Sequence, residues 1–156
     1  MLSAAIAAIL GVELVKPPKQ PNLGFVWREI DLRGCNELQI RPEQFRERPR
    51  WIRLYGIDVP QAGHVGYSGG RQDLEILLGR TPDVYYEDED CNHPVSRNAM
   101  LVQYVWTQGK LIEFELVLDG WATVNDEGRK GRYGKFLIAA EAEAKRFHEG
   151  MWAKQS

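Results

Sequence analysis

In the stretch WIRLYGIDVPQAG, residues 51–63, Arg53 sits inside an apolar, strand-like run, and Asp58 follows five residues later, just before Val59-Pro60. A guanidinium can hold two phosphate oxygens in one planar fork, and a carboxylate is the hard oxygen ligand that calcium takes. An edge carrying both could bind a phosphate and a metal. Just upstream, Arg41, Arg46, Arg48 and Arg50 stand against only Glu43 and Glu47, a local basic run that could meet the phosphates of a nucleic acid. Trp27, Trp51, Tyr85, Tyr86, Tyr104 and Trp106 could stack bases where they face outward, although strand alternation sends about half of such residues into a core. The four acids Glu87, Asp88, Glu89 and Asp90 read as a solvated loop that would repel phosphates. Cys35 and Cys91 have neither CxxC nor Cys/His ligand spacing, which gives no support to zinc or a redox motif and leaves a disulfide between them open. His64, His93 and His148 are isolated and read as exposed.

The elements that must position these groups fit one domain. The chain has 156 residues, 44% hydrophobic and 27% charged, the balance of a soluble globular protein with a single core. A formal charge of −2 argues against nucleic-acid binding by bulk electrostatics and confines any such role to local patches. The apolar start MLSAAIAAILGVELV lacks a basic n-region and is too short to span a bilayer. It reads as a short helix or ordered arm, with export as the alternative, so the compartment is cytoplasmic or exported. VKPPKQPN, residues 15–22, holds three prolines and reads as a linker. The expected organisation is therefore an arm and Pro-rich linker over residues 1–23 and a domain over 24–153.

Alternation predicts strands in GFVWREIDLRG and NELQIR, joined as a hairpin at residues 34–36, and a third strand in WIRLYGIDV, ended by Pro60. RQDLEILLGR places Leu74, Ile76, Leu77 and Leu78 at near-helical spacing before Gly79. DVYYEDED is a fourth strand and AMLVQYVWTQGKL a fifth, turning at Gln108-Gly109. IEFELVLDGWATV reads equally as helix or strand until Asp119-Gly120 breaks it. KFLIAAEAEAKRFHEGMW predicts an amphipathic helix with Phe136, Ile138, Ala139, Ala142 and Phe147 on its apolar face and Gly150 as its C-cap. Five short strands, an interior helix and a terminal helix suggest an α+β fold built on a five-stranded barrel of the OB type.

The order of motifs resembles the staphylococcal nuclease-like (thermonuclease-like) family. RLYGIDVPQ is similar to that family's R-x-x-G-(I/V)-D-x-P-E, SRNAMLVQYV to its D-(R/K)-Y-G-R-x-L-A-Y-V, FELVLDGWATV to its L-V-x-x-G-x-A, and AEAEAKRFHEGMW to its A-E-x-x-A-(R/K)-x-x-x-x-G-(L/I)-W. The resemblance covers residues 24–153. It implies an OB barrel that cleaves phosphodiesters of DNA and RNA with one calcium ion. It places Arg53 on the scissile phosphate and Asp58 on calcium. Three further positions depart from the pattern: Asn36 stands for a calcium-binding aspartate, Gln61 for the glutamate that activates water, and Met100 for the second arginine, which stabilises the transition state. Loss of ligand charge weakens calcium binding. An amide cannot take the proton that a general base takes, and a thioether carries no charge for the transition state.

The reading adopted is thus a nuclease-like domain that has lost calcium-dependent cleavage. It binds single-stranded DNA, RNA or an unidentified protein as a monomer without membrane attachment, and calcium at most weakly. An active enzyme with a rearranged site is the alternative, using Asp58 and Glu37 for metal, Arg53 and Arg97 for phosphate, and His64 as base. A partner-binding domain without nucleic-acid contact is a third reading, and Cys35 acting as a nucleophile beside His64 a remote fourth.

Overall fold

The computed structural model describes residues 14–23, 26–42, 48–79, 83–87 and 100–153. Strands β1 (Trp27–Arg33) and β2 (Glu37–Pro42) form the expected hairpin around Gly34, whose φ of 61 the glycine supplies without strain. β3 (Arg50–Leu54) continues the antiparallel sheet beside β2. β5 (Asp83–Glu87) joins the other edge of β1 and pairs with β6 (Leu101–Thr107), while β6 returns to lie parallel to β3. The order β3-β2-β1-β5-β6 therefore closes on itself as a five-stranded barrel, the OB-type α+β architecture expected from the sequence. Inward-facing Leu38, Ile40, Ile52, Leu54 and Val105 fill it.

The third predicted strand is two. Tyr55-Gly56 turns the chain between β3 and β4 (Ile57–Asp58), and β4 pairs with β8 (Thr123–Val124) rather than with the barrel. The cause is Gly56, whose φ is 79 and whose Cα hydrogens face the backbone of Gly128; a Cβ there would stand 2.6 Å from the Gly128 Cα.

Four helices and a short 3-10 turn flank the barrel among the described residues. Helix α1 (Tyr67–Leu78) begins four residues before the predicted segment and ends at Gly79 as expected. It buries Gly70, Leu74 and Leu78 but leaves Ile76 68% exposed, so Ile76 is not a core residue. The ambiguous segment is helix α2 (Ile112–Leu118), buried on every side between the barrel, α1 and the last helix, following the two-residue strand β7 (Lys110–Leu111). α3 (Asp126–Lys130) leads into α4 (Gly134–Arg146). α4 turns inward a different face from the predicted one: Leu137, Ala140 and Ala144 are buried, while Phe136 and Ile138 are exposed. Two glutamates on the buried side have partners that a polarity count does not see. Glu141 accepts from the Val124 amide at 2.7 Å and Glu143 from the Val15 amide at 2.9 Å.

The cap of α4 also differs from expectation. His148, with φ 55, takes the left-handed position; its amide bonds the Lys145 carbonyl and the Glu149 amide the Ala144 carbonyl, the paired bonds of a Schellman cap. Gly150 lies beyond it, starting the 3-10 turn Gly150–Trp152, where a Cβ would meet the Asp119 oxygen and the Gly120 backbone at 2.6 Å. No helix among the described residues is long and apolar enough to cross a membrane.

Candidate functional site

Register makes the site. Glu37 opens β2 directly opposite Arg33 on β1 and Arg53 on β3, and Arg53 stands opposite Val102 on β6. Residues opposite one another share a face, so Arg33, Glu37, Arg53 and Val102 form one row across four strands on the outside of the barrel. Arg53 donates from Nε at 3.1 Å and from Nη2 at 2.8 Å to Glu37 Oε1, and Arg33 Nε donates to Glu37 Oε2. The guanidinium of Arg33 also lies 4.3 Å from the ring centre of Trp51, a cation–π contact. The Glu37 side chain is only 12% exposed, against 49% for Arg53 and 54% for Arg33. Burial pushes its carboxyl up, but the bonds and charges of the two arginines outweigh that and hold it below the ordinary glutamate value.

The row borders a cleft of about 580 Å3 that the Tyr55-Gly56 turn, β4 and the start of α3 complete. Asn36, Arg53, Asp58 and Gln61, four of the residues singled out in the sequence, all line it, as does Glu37. Asp58 accepts a bond from Asn125 Nδ2 at 3.4 Å, and Gln61 reaches the Val59 carbonyl at 3.5 Å. Asn125 and Glu127 also line the cleft and were missed. Asn125 caps α3 by accepting from the Gly128 amide at 2.9 Å, and the signal for it was present, an Asn followed at once by two acids.

Other candidates are not brought there. Met100 stands just before β6 and does not line the cleft; the β6 residue that does is Val102, 41% exposed. Arg41 and Arg50 lie at the far ends of β2 and β3 from Glu37 and Arg53, and Arg48 precedes β3. Arg46, Arg97, His93 and Cys91 lie outside the described residues. His64 is exposed in the loop before α1 and is not part of the cleft lining.

Cys35 is buried, its Sγ 3.3 Å from the Tyr67 carbonyl. Burial pushes its thiol up, only partly countered by Arg71, so it is a protonated packing residue rather than a nucleophile. The stacking aromatics are mostly structural: Trp27, Tyr104 and Trp106 are buried, while Trp51, Tyr85 and Tyr86 are half-buried. Glu87 is not a solvated acid. It is buried at the end of β5, accepting from Trp106 Nε1 at 3.0 Å, from the Tyr133 hydroxyl at 2.6 Å and from Arg132. Asp88, Glu89 and Asp90 lie outside the described residues.

Among the described residues, no three His, Cys, Asp or Glu side chains gather as a metal site needs. In the cleft, Glu37 is committed to two guanidinium groups, which leaves Asp58, Glu127 and neutral amides as oxygen donors. Residues 51–154 match the family model described as staphylococcal nuclease homologue. No curated protein matches the chain.

Proposed function

Since this chain belongs to the staphylococcal nuclease homologue family, we propose that it retains a phosphate-binding cleft but not calcium-dependent cleavage, and that it works by binding single-stranded DNA or RNA. The observation that carries this reading is the state of the cleft around Arg53. The guanidinium remains there, half-exposed, while Asn36 and Gln61 beside it are neutral amides and Glu37 is engaged by two arginines.

Calcium takes six to eight oxygens, and its affinity follows the charge of the ligands. Asp58 and Glu127 offer two carboxylates, the first with an amide as its bonded partner; Asn36 offers only an amide oxygen, and Glu37 stands between two cations. With no third acidic or imidazole group gathered beside these carboxylates among the described residues, this donor set does not fit calcium. Gln61, which the resemblance sets on the position of the water-activating glutamate, cannot accept a proton, a deficit worth a factor of about 10²–10⁴ in a hydrolytic step. Binding needs none of this. Arg53 uses its Nε and Nη2 toward Glu37, and the Nη1 side of the fork can donate to a backbone phosphate. Glu87, which as a solvated acid would have opposed phosphate binding, is internally hydrogen-bonded and adds no free negative charge to the surface.

The test is cleavage and binding of single-stranded DNA and RNA with and without millimolar calcium, comparing the native chain, Arg53→Ala, and the triple variant Asn36→Asp/Gln61→Glu/Met100→Arg. The native chain should not cleave, should bind with affinity that falls steeply as salt rises, and should lose binding in Arg53→Ala. Calcium-dependent cleavage by the native chain, abolished by Arg53→Ala, would overturn the loss of catalysis. Salt-independent capture of protein without polynucleotide affinity would replace the nucleic-acid reading. Cleavage gained only by the triple variant would show that those three positions account for the lost chemistry.

A further inference from the structure

Arg33 appears in no motif, yet it shares its partner with Arg53. The two guanidinium groups grip opposite oxygens of one carboxylate, Arg33 on Oε2 and Arg53 on Oε1, because their three residues are cross-strand neighbours on β1, β2 and β3. A tetrahedral phosphate presents oxygens at similar separations, and paired guanidiniums are a recurrent seat for it. Glu37 occupies that seat. It uses the Nε/Nη2 edge of Arg53, the edge best suited to a bidentate phosphate contact, and its charge cancels one of the two cations. Both arginines are about half-exposed, and the Trp51 ring beneath Arg33 holds that guanidinium in place independently of Glu37.

Building on the reading above, we infer that Arg33 and Arg53 form a two-guanidinium seat for a polynucleotide phosphate, which Glu37 fills as an internal competing anion, so that the native cleft binds single strands weakly. Glu37 sits in the lowest-exposure position of the row, with its carboxylate shared by both cations, so it remains in place until a stronger anion arrives. Two unit charges a few ångströms apart near a protein surface interact strongly enough that removing one anion changes phosphate affinity roughly tenfold at low salt.

The experiment measures fluorescence anisotropy of a labelled oligothymidylate against the native chain, Glu37→Gln, Glu37→Thr, Glu37→Gln/Arg33→Ala and Arg53→Ala, over a salt series. Circular dichroism melts confirm that each variant is folded at the assay temperature, and the threonine variant, which suits a strand, stands in should the glutamine variant unfold. The expected result is roughly tenfold tighter binding for either Glu37 variant at low salt, a log–log salt slope steeper by about 0.7 per added phosphate contact, and loss of that gain with Arg33→Ala. Unchanged or weaker binding in both Glu37 variants, with native binding still dependent on Arg53, would overturn the inference and leave the proposed function standing. Absence of binding by every variant at the lowest salt would overturn both.

Discussion

Glu113 offers the sharpest test of the energetics beneath the cleft. It lies in the first turn of α2, fully buried, and its carboxyl oxygens accept from the Tyr55 amide at 3.3 Å and the Val105 amide at 3.1 and 3.2 Å, under the turn that separates Arg53 from Asp58. Burial pushes the carboxyl up to about 8, although the backbone bonds oppose it. The folded chain holds this proton up to about pH 8, whereas the unfolded chain releases it near the ordinary value of 4.5. Stability from this group is therefore fully present below the unfolded value and is lost as pH rises toward 8. The slope is about 1.4 kcal/mol per pH unit, and the whole window carries up to about 4–5 kcal/mol as an upper bound.

Glu113→Gln keeps the volume and one acceptor oxygen but cannot ionise. Its amide donors add a cost that does not depend on pH, so the informative quantity is the slope and not the absolute stability. Urea unfolding followed by circular dichroism between about pH 5 and pH 8 should show native stability falling as pH rises, and the native-minus-variant difference falling with it. Asp73 leaves a residual slope of the same sign in the variant, since burial, then the bond and charge of Asp119, push its carboxyl up to about 8. Native and Glu113→Gln curves that run parallel across the range would refute the argument that Glu113 is protonated in the fold.

Other substitutions report on neighbouring features. Gly56→Ala meets both a positive φ and the Gly128 backbone and should cost about 2–4 kcal/mol in urea unfolding, with loss of any Arg53-dependent oligonucleotide binding. Glu87→Ala strips the acceptor from the Trp106 indole and the Tyr133 hydroxyl and should lower stability by about 2–4 kcal/mol, visible as a lower Tm. Ile76→Lys, by contrast, changes an exposed position of α1 and should leave the melting curve within about 0.5 kcal/mol of native.

What the sequence disclosed depended on the range of the signal. The turn at Gly34, the stop at Gly79 and the break at Asp119-Gly120 are local, written in residues with special backbone freedom, and each stands where expected. The cleft gathers Asn36, Arg53, Asp58 and Gln61 because they belong to short ungapped motifs on adjoining elements. The inward face of α4 was not legible, since Glu141 and Glu143 are held inside by the amides of Val124 and Val15, more than ten residues away in each case. A pairing of Arg53 with Glu37 was conceivable from the sequence, but the share Arg33 takes in it was hidden for the same reason: the row exists only once the registers of two strand pairs are known, and a one-residue slip would send Glu37 to the other face.

The parallel contact between β3 and β6 has a kinetic side. Ile52 and Leu101 are partners across it, 49 positions apart, and a parallel pair cannot zip up from a tight turn. The conformational search for that contact must close a long loop before any ladder bond rewards it, which sets a slow, late step in folding. Because Arg53 faces Val102 across it, a ligand bridging β3 and the cleft would slow opening of this contact, and hydrogen exchange at the Tyr55 amide, which bonds the Gln103 carbonyl at 3.0 Å just beyond β3, would register occupancy of the cleft before any change in shape.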